Sequence, residues 1–258
     1  SSTHYYQPGW TLVGAGVFKK EETVRPTASV MPSFVTHIKG TVASFQPDEN
    51  SVTLKDGDML SYEYLVVAAG LKLDWAAIEG LETALGKNGV TSNYRYDLAP
   101  YTWDLVQKMR GKEAIFTQPP MPIKCAGAPQ KAMYLSCSTW TQAGKIKDIN
   151  VSFCNAGPVL FGCADYVPPL MEYVNSYGIN LDFGHNLVKV DGPNQTATFK
   201  VTKEGEEPQL IERKFDMLHV CPPQCAPDFI KESPLANEGG WMAVDQSTMQ
   251  STIAPNIF

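Results

Sequence analysis

The feature that most constrains the fold is a regular alternation of strand-like and helix-like segments between residues 112 and 181. The strand patterns cover residues 112–117, 148–153 and 179–181, and the helical patterns between them cover residues 128–143 and 164–177. Strands that are separated by helices return to a sheet in parallel orientation. This part of the chain is therefore predicted to be an α/β unit with a parallel sheet.

The flanking segments have a different, antiparallel character. Strands are predicted at 35–45 and 51–54 around a turn at 47–50, followed by an Asp56-Gly57 turn and a buried strand at 64–68 that ends at Ala69-Gly70. Helical patterns lie between residues 76 and 108, the second of them at 101–109. Three further strands, at 186–190, 196–201 and 211–221, are expected to form a meander.

Composition excludes several classes of function. The chain of 258 residues has 43% hydrophobic residues and a formal net charge of −6, and no basic run exceeds two residues. The chain therefore lacks the clustered positive charge that binding of a nucleic-acid phosphate backbone requires, so nucleic acid is not an expected partner. The longest clean apolar run, 64–71, is shorter than the roughly 20 residues of a spanning helix.

Six cysteines lie at positions 125, 137, 154, 163, 221 and 225. They contain no Cys-x-x-Cys spacing and have no histidine close enough to complete a zinc site, so no metal is expected. A chain with this much apolar core does not need a disulfide framework, which favours free thiols in a reducing compartment. At least four of the six are expected to be inert core residues.

The turn at residues 155–160 occupies the place where a βαβ unit binds a dinucleotide pyrophosphate. The fingerprint needs glycine at its first and last positions, and Asn155 and Leu160 stand there instead. Gly14-Ala-Gly16 is no substitute, because Lys19 takes the place of the third glycine and no strand precedes it. We expect that this unit does not bind NADH in the usual way.

Cys125 lies just after a strand and just before a helix, where α/β folds place their chemistry. A helix N-terminus and the neighbouring Lys124 and Lys131 would favour the thiolate; a cysteine that simply sits in a tight loop is the alternative. The segment Cys221-Pro-Pro-Gln-Cys225 is ambiguous, because two prolines stiffen the loop between its thiols. His219, between two apolar residues, is interpreted as a satisfied core histidine.

Four segments resemble the mitochondrial-type sulfide:quinone oxidoreductase family, and the resemblance extends over essentially the whole chain. The segments are Tyr6-Gln-Pro with Trp10, Tyr64-Leu-Val-Val-Ala-Ala-Gly70, Pro122-Ile-Lys-Cys-Ala-Gly-Ala-Pro-Gln-Lys131-Ala-Met-Tyr-Leu-Ser136, and Leu218-His-Val-Cys-Pro-Pro223. The resemblance implies an α/β fold with two Rossmann-like domains of the glutathione reductase flavoprotein type. It implies a partial FAD-binding domain at 1–110, a second, degenerate nicotinamide-type domain at 111–225, and a return to the FAD-binding domain at 226–258.

The resemblance also implies the site and the reaction. Cys125 would be one of two redox cysteines that take up sulfide sulfur as a persulfide, and FAD would contact Gln7, the backbone of Val42, and Ala69-Gly70. Electrons would pass from hydrogen sulfide through FAD to quinone, and the sulfur would go to a small acceptor such as glutathione or sulfite. The expected location is the mitochondrion, associated with the inner membrane.

The family pattern includes parts that this sequence does not contain: an N-terminal Gly-x-Gly-x-x-Gly, a Gly-x-Gly-Asp after Phe258, a second redox cysteine and membrane-associated segments. The chain is therefore interpreted as an internal fragment truncated at both ends, which we expect to be inactive alone. The alternatives are a related two-domain flavoprotein of the NADH:quinone dehydrogenase type and a non-catalytic, thiol-rich fragment.

Overall fold

A computed structural model describes residues 1–110 and 112–258, so Gly111, where the second predicted domain begins, lies outside the described residues. The chain forms two compact units, a larger one of residues 2–30 and 74–223 and a smaller one of residue 1 with 31–73 and 224–258. Residues 2–30 and 74–110 thus pack within the larger unit. The assignment of FAD binding to residues 1–110 and 226–258 remains a prediction.

The secondary structure consists mainly of short elements. The helices are α1 (Trp10–Val13), α2 (Leu81–Ala84), α3 (Ala99–Lys108), α4 (Gly127–Gln142), α5 (Val167–Tyr177) and α6 (Asp228–Lys231). The strands are β1 (Thr3–Tyr5), β2 (Val24–Pro26), β3 (Val42–Gln46), β4 (Ser51–Leu54), β5 (Met59–Ser61), β6 (Lys72–Leu73), β7 (Val90–Thr91), β8 (Glu113–Gln118), β9 (Asn150–Asn155), β10 (Asn180–Phe183), β11 (His185–Asp191), β12 (Thr196–Val201), β13 (Gln209–Lys214), β14 (Met217–His219) and β15 (Gln224–Cys225). Within the described ranges no helix has the length and apolar character needed to span a bilayer.

The larger unit is built on a five-stranded parallel sheet with the strand order β10-β9-β8-β14-β7, which confirms the predicted parallel sheet. Its central strand β8 alternates between two cores, as a pleated strand requires. Ala114 and Phe116 pack with residues of α3, α4 and α5 on one face. Ile115 packs on the other face with residues of β11 and β12. The sheet is therefore covered on both faces.

The predicted meander strand at 211–221 is two strands. β13 pairs antiparallel with β12 and completes the sheet β11-β12-β13, whereas β14 pairs parallel with β8 and β7. The chain changes sheets at Asp216, whose Oδ2 accepts the backbone N–H groups of Lys112 and Glu113 at 2.8 and 2.9 Å. The two strands also differ in burial: β14 is buried throughout, whereas most of β13 is exposed.

The smaller unit contains the antiparallel sheet β3-β4-β5 and the pair β6-β15. The strand predicted at 35–45 is shorter than expected and begins at Val42, because Phe34, Val35 and Ile38 are exposed and no regular structure forms around them. Residues 35–41 contain only two apolar side chains, Val35 and Ile38, and neither packs into a core.

The predicted buried strand at 64–68 is also wrong in part. Leu65 forms a parallel bridge with Ile257, and Val67 N–H donates to Phe258 O at 2.7 Å. Tyr64 and Val66, which point to the opposite side, are each 73% exposed. The segment is extended, and one of its faces is open.

Gly89 provides a test of the packing at the start of β7. Its φ is +81°, and a Cβ there would lie 2.3 Å from Asp216 O. Gly89→Ala should lower the free energy of unfolding by about 2 to 5 kcal/mol, since left-handed strain and overpacking add. Gly144→Ala is the matched control, because φ is +70° there and a Cβ meets no described atom within 4 Å. It should cost about 1 to 2 kcal/mol. Equal losses in urea unfolding would contradict the close approach to Asp216.

Candidate functional site

Cys125 lies in the loop between β8 and α4, at the carboxyl edge of the parallel sheet. It is a free, exposed thiol, two residues before the first residue of α4. Its φ is +58°, in the left-handed region that residues other than glycine seldom occupy. Strained backbone of this kind concentrates at functional sites. The position agrees with the sequence-based expectation for a reactive cysteine.

Lys124 connects the Cys125 loop to the N-terminal segment. Its Nζ donates a hydrogen bond to Oε1 of Gln7, an exposed residue in a 3₁₀ helix at Gln7–Gly9. Gln7 and Cys125, two of the predicted site residues, therefore lie near each other within the larger unit. Lys131, the other predicted neighbour, is exposed on α4.

Tyr94 is a residue of this site that sequence reasoning missed. It follows β7, and its hydroxyl donates to Lys124 O at 2.9 Å and lies 3.3 Å from Cys125 O. The same hydroxyl hydrogen-bonds the thiol of Cys221. β7, β14 and β8 are neighbours in the sheet, so the loops after all three strands meet at one edge. That adjacency is known only from the sheet order, and no pattern in the sequence around Tyr94 indicates it.

Cys221 follows β14 and is buried, with its thiol donating to Pro222 O at 3.9 Å. Burial raises the pKa of this thiol to about 12; the hydrogen bond from Tyr94 opposes the rise, and the nearby Cys125 adds to it. Cys221 is therefore a neutral thiol at physiological pH. Its neighbour in the same segment, Cys225, is half-buried and free.

His219 is buried as expected, but its hydrogen bonding is incomplete. Its Nε2 accepts the backbone N–H of Asn93 at 3.0 Å, and its ring stacks on Phe116. Because Nε2 is the acceptor, the proton of the neutral ring is on Nδ1, which has no partner among the described residues. Burial lowers the pKa of His219 from 6.5 to about 4. The prediction that His219 is a core histidine with both ring nitrogens hydrogen-bonded is therefore wrong for Nδ1.

Three of the six cysteines are buried, which is fewer than the four expected in the core. Besides Cys221 these are Cys137 and Cys154, and burial raises the pKa of each to about 12. Cys154 also accepts a hydrogen bond from Arg213, which is ion-paired with Asp182 at 2.6 Å. Cys163 is exposed. These thiols are thus separated into inert core residues and accessible ones.

The turn at 155–160 is closed by the side chain of Asn155. Asn155 Oδ1 accepts the Gly157 N–H and its Nδ2 donates to Val159 O, both at 2.8 Å. Leu160 is buried, and Gln130 donates to its carbonyl at 2.7 Å. A phosphate would have to displace these internal bonds, which agrees with the expectation that the turn does not hold a pyrophosphate.

The other predicted cofactor contacts lie in the smaller unit. Val42 is the first residue of β3 and is half-buried, and Ala69 and Gly70 are exposed. Gly70 has φ +75°, and a Cβ there would meet no described atom within 4 Å. The backbone at 69–70 is thus open to close approach by a bound group. In the described part of the chain, His, Cys, Asp and Glu side chains form no group of three that could hold a metal ion.

Comparisons with known proteins identify what this chain is similar to. No family model matches it. It is 40% identical over 258 residues to the mitochondrial sulfide:quinone oxidoreductase of Mus musculus, covering all of this chain and 57% of the relative. The enzyme of the same name from Dictyostelium discoideum is 40% identical over 261 residues, covering 100% of this chain and 56% of that protein. The resemblance stated from the sequence is thereby confirmed, and the chain spans just over half the length of these relatives.

A solved structure shows the fold. The sulfide:quinone oxidoreductase of Aquifex aeolicus superposes with a TM-score of 0.81 at 20% identity, covering 100% of this chain and 59% of that one. This likeness confirms the predicted α/β fold with a parallel sheet.

The buried His219 predicts a specific loss of stability in acid. Its pKa is about 4 in the folded chain and about 6.5 when unfolded. Protons therefore bind the unfolded state first, and stability falls as pH drops from 6.5 towards 4 by about 3 kcal/mol. Urea unfolding should show that the wild type loses about 3 kcal/mol more stability between pH 7 and pH 4 than His219→Gln does. His4→Gln, at an exposed position, should behave as wild type. An identical pH dependence in His219→Gln would contradict the assignment.

Proposed function

We propose that this chain, similar over its whole length to mitochondrial sulfide:quinone oxidoreductases, is the part of a flavoprotein in which hydrogen sulfide is oxidised at Cys125 and electrons pass through FAD to quinone. The observation that carries the proposal is an exposed cysteine in left-handed backbone at the carboxyl edge of the parallel sheet. It lies within a chain that is 40% identical to the mouse enzyme from end to end.

Cys125 would act as a sulfur carrier. Hydrosulfide attacks a disulfide between Cys125 and a second cysteine, so that a new S–S bond forms at Cys125 while the original S–S bond breaks. Cys125 then holds a persulfide, and the electron pair leaves on the sulfur of the second cysteine as a thiolate. An accessible sulfur is required at two stages, for the attack and for removal of the outer sulfur atom. Exposure of Cys125 meets both requirements.

The residues present fit FAD as the cofactor. The open backbone at Ala69-Gly70, with φ +75° at Gly70, admits a flat group at close range. Val42 and Gln7 are the other residues proposed to contact it, Val42 through its backbone and Gln7 beside the Cys125 loop. When bound, FAD supplies the two-electron acceptor from which quinone is reduced. The protein's part is to hold the sulfur in place and to exclude competing reactions.

The sulfur acceptor and the location follow from the same proposal. A small thiol or oxyanion such as glutathione or sulfite would take the outer sulfur, since it can approach an exposed loop. The curated relatives named above are mitochondrial by name, and we place this protein in the mitochondrion, in association with the inner membrane where quinone is dissolved.

Replacement of Cys125 tests the role of its sulfur. In the flavin-loaded protein, Cys125→Ser should reduce sulfide-dependent quinone reduction about a hundredfold or more with unchanged flavin content, because serine cannot form the bridge. Cys163→Ser is the matched control at a second exposed thiol, and Cys137→Ser and Cys154→Ser should alter stability by only about 1 kcal/mol. Near-normal turnover of Cys125→Ser with flavin bound would refute the role and make Cys221 and Cys225 the next candidates.

A purified protein without visible flavin absorbance would favour a thiol-rich binding module.

The closed turn at 155–160 predicts that NADH is not the electron donor. NADH should neither reduce the flavin nor bind saturably at physiological concentration, because Asn155 occupies the turn and Leu160 is packed beneath it. Sulfide added to the same sample is the positive control. Efficient flavin reduction by NADH would overturn the choice of donor and favour the NADH:quinone dehydrogenase alternative.

A further inference from the structure

We propose that Tyr94 is the positioning residue for Cys125: its hydroxyl fixes the loop that carries the reactive sulfur and holds it against the sheet edge at Cys221. The proposal deepens the function proposed above and rests on it, but the anchoring itself can be measured without any enzyme assay.

The loop needs an external anchor. Cys125 has φ +58°, and this left-handed conformation is strained for a residue with a Cβ. Such a conformation persists only when surrounding contacts hold it. The Tyr94 hydroxyl contacts two successive carbonyl oxygens of this loop, Lys124 O at 2.9 Å and Cys125 O at 3.3 Å. Cys125 O also accepts the N–H of Ala128 at 2.8 Å, which ties the loop to the first turn of α4.

Tyr94 is itself held firmly enough to serve as an anchor. Its backbone N–H donates to Ser92 Oγ at 3.1 Å, and the preceding N–H, that of Asn93, donates to the buried ring of His219 at 3.0 Å. Ser92, Asn93 and His219 are all buried at the carboxyl ends of β7 and β14. The tyrosine is thus supported by the ends of β7 and β14, of which β14 lies beside β8. Sites supported by strands are positioned more accurately than sites on loops.

Cys221 provides the third contact of the same hydroxyl. It is 1% exposed, and a hydrogen bond from Tyr94 lowers the pKa of its thiol. Because Cys221 lies two residues after the end of β14, this interaction ties Tyr94 to the same sheet edge. The side chain of Tyr94 is therefore fixed at its tip as well as at its backbone, and the loop carbonyls are placed with respect to a rigid edge.

The decisive variant is Tyr94→Phe, which removes one oxygen atom and keeps the ring. Tyr101→Phe is the matched control, because the Tyr101 hydroxyl accepts the Gly89 N–H at 3.2 Å, remote in sequence from the Cys125 loop. Amide hydrogen exchange of the loop at 120–128 should become about three- to tenfold faster in Tyr94→Phe, as expected for loss of one hydrogen bond. In Tyr101→Phe this loop should exchange as in wild type.

Kinetics test the consequence for the sulfur. In the flavin-loaded protein, Tyr94→Phe should slow flavin reduction by sulfide and lower kcat about tenfold, with KM for quinone and flavin content unchanged. Tyr101→Phe should leave kcat within about twofold of wild type. Thermal unfolding of both variants shows whether they are comparably folded. A purely structural tyrosine would change stability without this selective loss of kcat.

The two measurements separate the possible failures. Unchanged exchange at 120–128 in Tyr94→Phe overturns the anchoring, whatever the activity. Faster exchange with unchanged kcat overturns the positioning role, provided that Cys125→Ser is inactive. If sulfide does not reduce the wild-type flavin at all, the proposed function fails, and so does the positioning role that rests on it. Hydrogen exchange still shows whether Tyr94 holds the loop.

Discussion

The parallel pairing of β8 with β9 on one side and β14 on the other is the constraint on which the rest of this structure depends. β8 is buried from Ala114 to its last residue, with Ala114 and Phe116 on one face and Ile115 on the other. Every parallel strand then ends at the same edge, so the loops after β7, β8 and β14 are brought together from distant parts of the sequence. Tyr94, Cys125 and Cys221 become neighbours for this reason, although 127 positions separate the first from the last.

The sequence was informative wherever one period dominated over several residues. The alternation of strands and helices between 112 and 181 predicted β8, α4, β9, α5 and β10 to within a few residues, helped by the burial of β8 and β9 over nearly their whole length. The predictions failed where the pattern did not determine the partner of a strand. Residues 211–221 were predicted as one strand, yet the chain passes from one sheet to another at Asp216. The strand predicted at 35–45 fails at its start, where Val35 and Ile38 are exposed.

The position of Cys125 after a strand and before a helix was predictable from the sequence, whereas the residues that hold its loop were not. Cys125 could be selected because it stands between a strand and a helix. Tyr94 could not, since its role depends on a hydroxyl meeting two carbonyl oxygens, and hydrogen bonds to backbone carbonyls leave no pattern in the sequence around either partner. His219 illustrates the same limit: burial could be inferred from its apolar neighbours, but the tautomer depends on the N–H of Asn93, which reaches the ring from another strand.

The persulfide chemistry proposed for Cys125 has to be confined to selected sulfurs in a chain with six free thiols. Here the fold provides the selection by burial. At a pKa of about 12, the thiols of Cys137, Cys154 and Cys221 are ionised to about one part in ten thousand or less near pH 7.5, and the thiolate is the reactive form. The same low-dielectric interior that stabilises the sheet thus keeps three cysteines out of sulfur exchange. Cys125, in contrast, is exposed in a loop at the sheet edge, and the Tyr94 hydroxyl contacts the carbonyl oxygens of that loop.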